Sequence, residues 1–287
     1  MAGKNERQRR QARERYRRQQ ELRTARRHQV RRRVLIGVGA VAVVGLIAGL
    51  LAAFLPGGSG KPAAAASTSP TASAKPSAST VAEPAHHCSY TTTATAARAV
   101  SLPPSAPDYT SSYTATLNTN LGPITFNLLN SNATCTVNSF VHLAEAGYFD
   151  NTQCHRLVSS GIYVLQCGDP YATAATKLTC SSTSKVGTGT PGYEFASENL
   201  TGARYPAGTV AMANDGSADT NGSQFFIVYQ DSSSGLAASY TPFAAVSSGL
   251  GIVQNVARDG YSCQYAGAGG GAPKEKVIID NVTIKKT

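Results

Sequence analysis

Gly208-Thr209-Val210-Ala211-Met212-Ala213-Asn214 and, after a short polar connection, Ser223-Gln224-Phe225-Phe226-Ile227-Val228-Tyr229 are the two runs whose reading decides the fold. Both are short, rich in β-branched and aromatic residues, and bounded by Gly, Asn, Asp and Ser, which is the pattern of strands joined by a turn. The same pattern recurs to either side. Upstream, YTATLNT from Tyr113, the turn NLGP and then ITFNLL form a strand pair with Ile124, Phe126 and Leu128 on one face. Val137, Phe140, Val141 and Ala144 then recur at helical spacing, with Thr136 placed to cap the start and Gly147 the stop. Short strands follow at CHRLV and YVLQCGD, a Gly/Ser/Thr-rich loop occupies Pro170 to Gly192, and the chain closes on the alternating KVIIDNVTIKK. No internal repeat interrupts this. Residues 113–287 read as one mainly β domain with few helices.

The rest of the chain has a different composition. The net charge of +10 is concentrated in residues 1–33, which hold fourteen Lys and Arg against three Glu, or +11. The other residues carry twelve basic and thirteen acidic side chains, a net of −1, so no nucleic-acid partner is expected for the folded part. Directly after Arg31-Arg32-Arg33 come 22 residues, Val34 to Leu55, without charge or hydrogen-bonding side chain. As a helix they would be about 33 Å long, enough to cross a hydrocarbon core of about 30 Å. A cleaved signal peptide would have a shorter apolar region behind a shorter basic start. The expectation is a single-pass cell-membrane anchor, with the basic tail cytoplasmic and residues 56–287 outside. Residues 56–112 are a Pro/Ala/Ser/Thr-rich, disordered linker and an irregular lead-in. His86, His87 and Cys88 close the low-complexity part, and a tethering cysteine is a better reading there than a metal site.

All six cysteines (Cys88, Cys135, Cys154, Cys167, Cys180, Cys263) lie C-terminal to the apolar run, as expected of disulfides formed on an oxidising face. The sequence leaves their pairing open. No Cys-x-x-Cys, Gly-x-Ser-x-Gly, His-Glu-x-x-His or Walker loop is present, and the glycine run Gly267–Gly271 reads as a loop before the last strand.

Three segments stand in a distinctive order. They are Cys154-His155-Arg156, then Val164-Leu165-Gln166-Cys167-Gly168-Asp169, then Ala211-Met212-Ala213-Asn214 through Asn221-Gly222-Ser223-Gln224-Phe225-Phe226. With GTGTPGYEFASEN (Gly187–Asn199) before the last of them and Tyr240-Thr241-Pro242-Phe243 after it, the set resembles the cyclophilin family of peptidyl-prolyl cis-trans isomerases from about Tyr113 to Lys285. Each residue alone has a plainer reading: Arg156 a strand-surface arginine, Gln166 a structural glutamine, Phe225 and Phe226 alternating strand residues with one in the core. Their joint occurrence in family order carries the resemblance.

The resemblance implies a closed eight-stranded antiparallel β-barrel capped by two α-helices, with Val137–Ala146 as the first. It implies a catalytic Arg156 partnered by Gln166, and a proline pocket at Tyr163, Val164, Phe226 and Leu236. Ala213 and Asn214 would hold the peptide backbone, with Gln224 also at the substrate and Tyr240 on the rim. The implied partners are proline-containing polypeptides, the implied state is a monomer, and no cofactor or metal is called for. A binding module that holds proline segments with little turnover is the alternative, and an envelope-organising role for the arginine tail a third reading.

Departures from the family are equally specific. Tyr163 and Val164 stand where Phe and Met are usual, GLAAS (Gly235–Ser239) lacks the usual tryptophan, and Tyr240 replaces a common His. These imply a pocket of altered volume and argue against tight cyclosporin binding. Between Asp169 and Gly187 lie about twelve extra residues that include Cys180. A disulfide from Cys180, with Cys263 as a candidate partner, would pin that loop beside the surface that reads residues preceding proline.

Overall fold

The computed structural model describes residues 87–181, 183–265 and 269–287. The basic tail, the apolar run 34–55 and the linker up to residue 86 lie outside the described residues, within which no helix is long and apolar enough to cross a membrane.

The expected strand pair forms as β2 (Tyr113–Thr119) and β3 (Gly122–Leu128), with Ile124, Phe126 and Leu128 buried. Helix α1 (Thr134–Glu145) follows, and here one expectation is corrected. Thr136 lies inside the helix rather than at its cap, and Ala133 at the cap position makes no side-chain bond. The exposed N-terminal amides are satisfied from afar, because the Glu198 carboxylate accepts from the Cys135 and Thr136 N–H groups at 3.1 and 2.7 Å and from the Thr136 hydroxyl at 2.6 Å. A negative charge at the positive end of a helix is favourable. Gly147, at φ 65°, ends the helix as expected.

Short β4 (Thr152–Gln153), β5 (Arg156–Ser160) and β6 (Ile162–Cys167) come next, followed by β7 (Tyr193–Glu194), β8 (Thr209–Met212), β9 (Phe225–Val228) and β10 (Pro242–Ser248). The chain then makes α2 (Leu250–Asp259), β11 (Tyr261–Gln264), β12 (Gly271–Pro273) and β13 (Ile278–Lys286). Gly271 is therefore in a strand rather than a loop. A side chain there would collide with the Cys263 carbonyl, since a Cβ would sit 1.6 Å from it.

The main sheet runs β11-β12-β5-β6-β9-β8-β10-β3-β2-β13-β4, every ladder antiparallel. Among the described residues no ladder joins its ends, so the closed eight-stranded barrel expected from the sequence is corrected to an eleven-stranded open sheet. The sheet is nevertheless strongly curled. Eight ladders separate β5 from β4 in that order, about 38 Å if the sheet were flat. Yet only two residues lie between Gln153 and Arg156, a span of at most about 11 Å. One extended segment thus serves β13 at its start and β6 at its end, and the covalent chain at Cys154-His155 takes the place of a closing ladder.

Inside the curl, Phe126, Phe140, Phe149, Phe225 and Phe243 form an aromatic core with ring centroids 5.2–6.5 Å apart. Three disulfides fasten the fold: Cys154–Cys167 inside the core, and Cys88–Cys135 and Cys180–Cys263 outside it. Cys88–Cys135 joins the lead-in to α1. There β1 (Thr91–Thr92) pairs with β7, and the Arg98 guanidinium donates to the carbonyls of Gly147, Tyr148 and Asp150 at 2.9 Å each.

Candidate active site

Alternation along four neighbouring strands decides which side chains leave the core. Residues facing one another in an antiparallel pair project to the same side. Arg156 faces Gln166, Gln166 faces Phe226, and Phe226 faces Ala211. One step along, Val158 faces Val164 and Val164 faces Val228. The intervening residues (Leu157, Leu165, Ile227, Val210) belong to the main core. The outward set makes a second apolar cluster, to which Tyr205, Leu236 and Tyr240 contribute from later segments.

This cluster floors a cavity of about 390 Å³. Arg156, Gln166, Val164, Ala213, Asn214, Phe226, Leu236 and Tyr240, all expected from the sequence, line it together. The Phe226 and Tyr240 rings meet edge to face at 5.5 Å, and Tyr240 is located through the Tyr205 hydroxyl, which donates to its carbonyl at 2.9 Å. The Asn214 amide donates to the Ser239 carbonyl at 2.8 Å, joining the cavity's two rims.

Tyr163 is not there. It faces Ser159 across the ladder, one residue out of phase with Val164, so its ring packs on the main core 6.0 Å from Tyr229. Its expected place in the proline pocket is corrected on that ground, and Ile162 fills the position instead. Gln224 lines an adjoining cavity of about 350 Å³, which shares Gln166, Gly187, Thr188, Ala213 and Asn214 with the first.

The polar groups form a directed relay. Arg156 Nη1 donates to Gln166 Oε1 at 2.9 Å, and Gln166 Nε2 donates to Gln224 Oε1 at 2.9 Å. Gln224 Nε2 donates onward to the Gly187 and Gly189 carbonyls at 3.1 and 3.0 Å. Each amide is oriented by the next, and the Gly269 carbonyl accepts from Arg156 Nε at 3.0 Å. The guanidinium is thus held at the edge of an apolar cavity, where charge interactions are less screened than in water. Burial pulls its pKa below the ordinary value, but a guanidinium remains charged at neutral pH.

Sequence reading missed Ile162, Val186 and Tyr265 on the cavity wall, and the role of the Gly269 carbonyl. Tyr265 is anchored by its hydroxyl, which donates to the His155 carbonyl at 2.9 Å. His155 adjoins Arg156 on the cavity wall. It is 2% exposed, with the Gln224 side chain as a polar neighbour and, among the described residues, no well-formed hydrogen bond at either ring nitrogen. Burial, and secondarily the neighbouring Arg156 charge, push its pKa from 6.5 down to about 3.

That shift has a signed consequence. Above pH 6.5 the ring is neutral folded and unfolded, and its contribution to stability is complete. As pH falls from 6.5 towards 3, the unfolded chain binds a proton that the folded one refuses. Stability is therefore lost by about 1.4 kcal/mol per pH unit from this group. Urea unfolding of wild type and His155→Gln across that range should differ by this slope, and parallel curves would refute it.

Comparison with known proteins bears on the family. Residues 114–284 match the family model described as cyclophilin type peptidyl-prolyl cis-trans isomerase/CLD. A protein of Mycobacterium leprae named "Probable peptidyl-prolyl cis-trans isomerase B" is 38% identical over 216 residues, covering 69% of this chain and 66% of its own. Its namesake in Mycobacterium tuberculosis is 41% identical over 180 residues, 58% of this chain and 52% of that one. The chain thus matches between half and two thirds of the length of these relatives. A crystal structure of a Cryptosporidium parvum cyclophilin type peptidyl-prolyl cis-trans isomerase superposes with a TM-score of 0.50 at 25% identity, covering 61% of this chain and 99% of that one. With the family model spanning more than half of its residues, the chain belongs to the cyclophilin-type peptidyl-prolyl cis-trans isomerase family.

Proposed function

We propose that this protein accelerates cis-trans isomerisation of X–Pro bonds in polypeptides that fold outside the cytoplasm. The observation that carries the reading is the Arg156 guanidinium, held by Gln166 and the Gly269 carbonyl at the wall of an apolar cavity the size of a proline-containing segment.

Rotation about an X–Pro bond is slow because it breaks amide resonance, a barrier of about 18–20 kcal/mol. In the twisted transition state the nitrogen lone pair is no longer delocalised and accepts a hydrogen bond well. A fixed donor near that nitrogen stabilises the transition state more than the planar ground state, and only such a difference raises the rate. Arg156 supplies the donor. Val164, Phe226 and Leu236 would hold the proline ring and exclude water, while Ala213 and Asn214 lie where an extended peptide backbone would run. Nothing in this scheme needs a covalent intermediate.

Residues 34–55, flanked by the arginine run, support a single membrane crossing with this domain outside, and residues 56–86 would tether it within reach of emerging chains. Slow proline isomerisation limits folding there as elsewhere, which gives a tethered catalyst its use. The direct test is an isomerisation assay on the oxidised full chain in detergent, with carbonate extraction and protease accessibility in cells for the topology. Catalysed exchange is expected. Binding of proline peptides without any rate enhancement would replace the enzyme by a holding module, and a cytosolic, carbonate-soluble protein would remove the anchor.

A further inference from the structure

The cavity has one wall of different construction from the rest. Floor and rim are strands and their turns, but Cys180, Ser181 and Val186 reach it from the long connection after Asp169. The base of that connection is firmly closed: the buried Asp169 carboxylate accepts from the Tyr171 N–H at 2.8 Å and from the Gly187 N–H. Its first part is also held, since Gln153 Nε2 donates to the Thr173 and Thr176 carbonyls at 2.6 and 2.7 Å.

Beyond Lys177 this changes. Among the described residues, the hydrogen bonds made between residues 178 and 186 run within the connection itself, from Ser184 and Thr183 to Ser181, from Val186 to Ser184, and from Thr188 to the Lys185 carbonyl. Lys185 also stays local, over the Tyr171 ring. Among the described residues, what fastens the stretch to the rest of the domain is the Cys180–Cys263 disulfide. Its far half is on β11, whose partner β12 pairs with β5 next to Arg156. Neither half of this bridge is buried, whereas each of the other two has at least one cysteine at or below 2% exposure.

We propose that the Cys180–Cys263 bridge is a specificity-determining element: it holds Cys180, Ser181 and Val186 as a wall of the cavity and so sets which residues beside the proline are accepted. The inference rests on the isomerase reading of the same cavity. A polypeptide stretch without hydrogen bonds to its surroundings has many conformations of similar energy, and a covalent tie selects one. The relay from Arg156 through Gln166 to Gln224 ends on the Gly187 and Gly189 carbonyls, and Gly187 is held by the Asp169 carboxylate rather than by the bridge, so the bridge acts on recognition rather than on the rotating bond.

The test compares full chain and Cys263→Ser, which cuts the tie from outside the cavity and leaves Cys180 in the wall as a thiol, on peptides Xaa-Pro with Xaa as Gly, Ala, Leu, Phe, Lys and Glu. KM for the best wild-type peptide should rise about tenfold, the loss expected when a pocket gives up a methylene-sized contact, and the ranking of Xaa should compress. The kcat should change little. Wild type reduced with dithiothreitol until mass spectrometry shows this bridge alone open should behave like the variant and recover on reoxidation, which covers a variant that fails to fold. Unchanged KM and ranking would overturn the proposal, as would a uniform fall in kcat with the ranking kept. If oxidised wild type turns over no peptide, the isomerase reading fails. Calorimetric affinities for the same peptides then decide, and equal values with and without the bridge overturn the proposal.

Discussion

Arg156→Ala is expected to lower kcat/KM for X–Pro isomerisation by about 10²–10³, the loss typical when one preorganised donor to a transition state is removed. The fall should appear in kcat, because the hydrogen bond to the prolyl nitrogen forms only when the amide twists. Stability should change by about 1 kcal/mol, since the abandoned acceptors, Gln166 Oε1 and the Gly269 carbonyl, edge a cavity that water can enter. Arg156→Lys is the sharper comparison. It keeps the charge but cannot donate to Gln166, to Gly269 and to a substrate nitrogen together from one rigid fork, so it should recover little of the loss. Exchange spectroscopy on a proline peptide, with circular dichroism to verify folding, reads both variants. Activity of a folded Arg156→Ala within threefold of wild type would remove the transition-state hydrogen bond from the mechanism.

The parts of this molecule that were legible in the sequence are those where a local pattern dictates a geometry. Strands β2, β3, β8, β9 and β13 announced themselves by alternation or β-branched composition, and α1 by its apolar spacing. Strands such as β4, β7 and β12 are two or three residues long and exist only because a partner strand passes by, so nothing in Thr152-Gln153 or Gly271-Ala272-Pro273 marks them. Helix α2, the second of the two that the resemblance implies, could not be located in the sequence because its buried residues are Val253 and Val256 alone. The cap of α1 was misread for a similar reason. A threonine near the start is a local signal, while the acceptor that serves those amides, Glu198, is 62 and 63 residues away. At the site, the motif order singled out Arg156, Gln166, Val164 and Phe226, which the strands bring to one cavity. It could not separate Tyr163 from Val164, because a motif preserves sequence neighbours and a strand sends neighbours to opposite faces. Tyr265 and the Gly269 carbonyl were beyond reach, since the bond of the first to the His155 carbonyl and of the second to Arg156 depends on where β11 and β12 fold back.

That same rule of alternation makes the adjacent pair Phe225 and Phe226 the clearest probe of the architecture. Phe225 is fully buried, with its ring against Phe126, Phe140, Phe149 and Phe243. Phe225→Ala would leave a ring-sized void at the centre of the aromatic core and is expected to cost about 3–5 kcal/mol. That is a large part of the roughly 5–15 kcal/mol that holds a domain together. Phe226 packs on the other side of β9, in the small cluster with Val164, Ala211 and Tyr240, at the floor of the cavity. Removing its ring enlarges a space already open to solvent, so the stability cost should be smaller, about 1–2 kcal/mol. The loss falls on substrate instead: KM for proline peptides should rise at least about tenfold while kcat falls less. Urea titration and isomerisation kinetics on the two variants separate the effects. A Phe225→Ala protein of near-normal stability, or a Phe226→Ala protein that unfolds while the other keeps its KM, would mean that the faces of β9 are reversed. The cavity would then lie on the wrong side of the sheet.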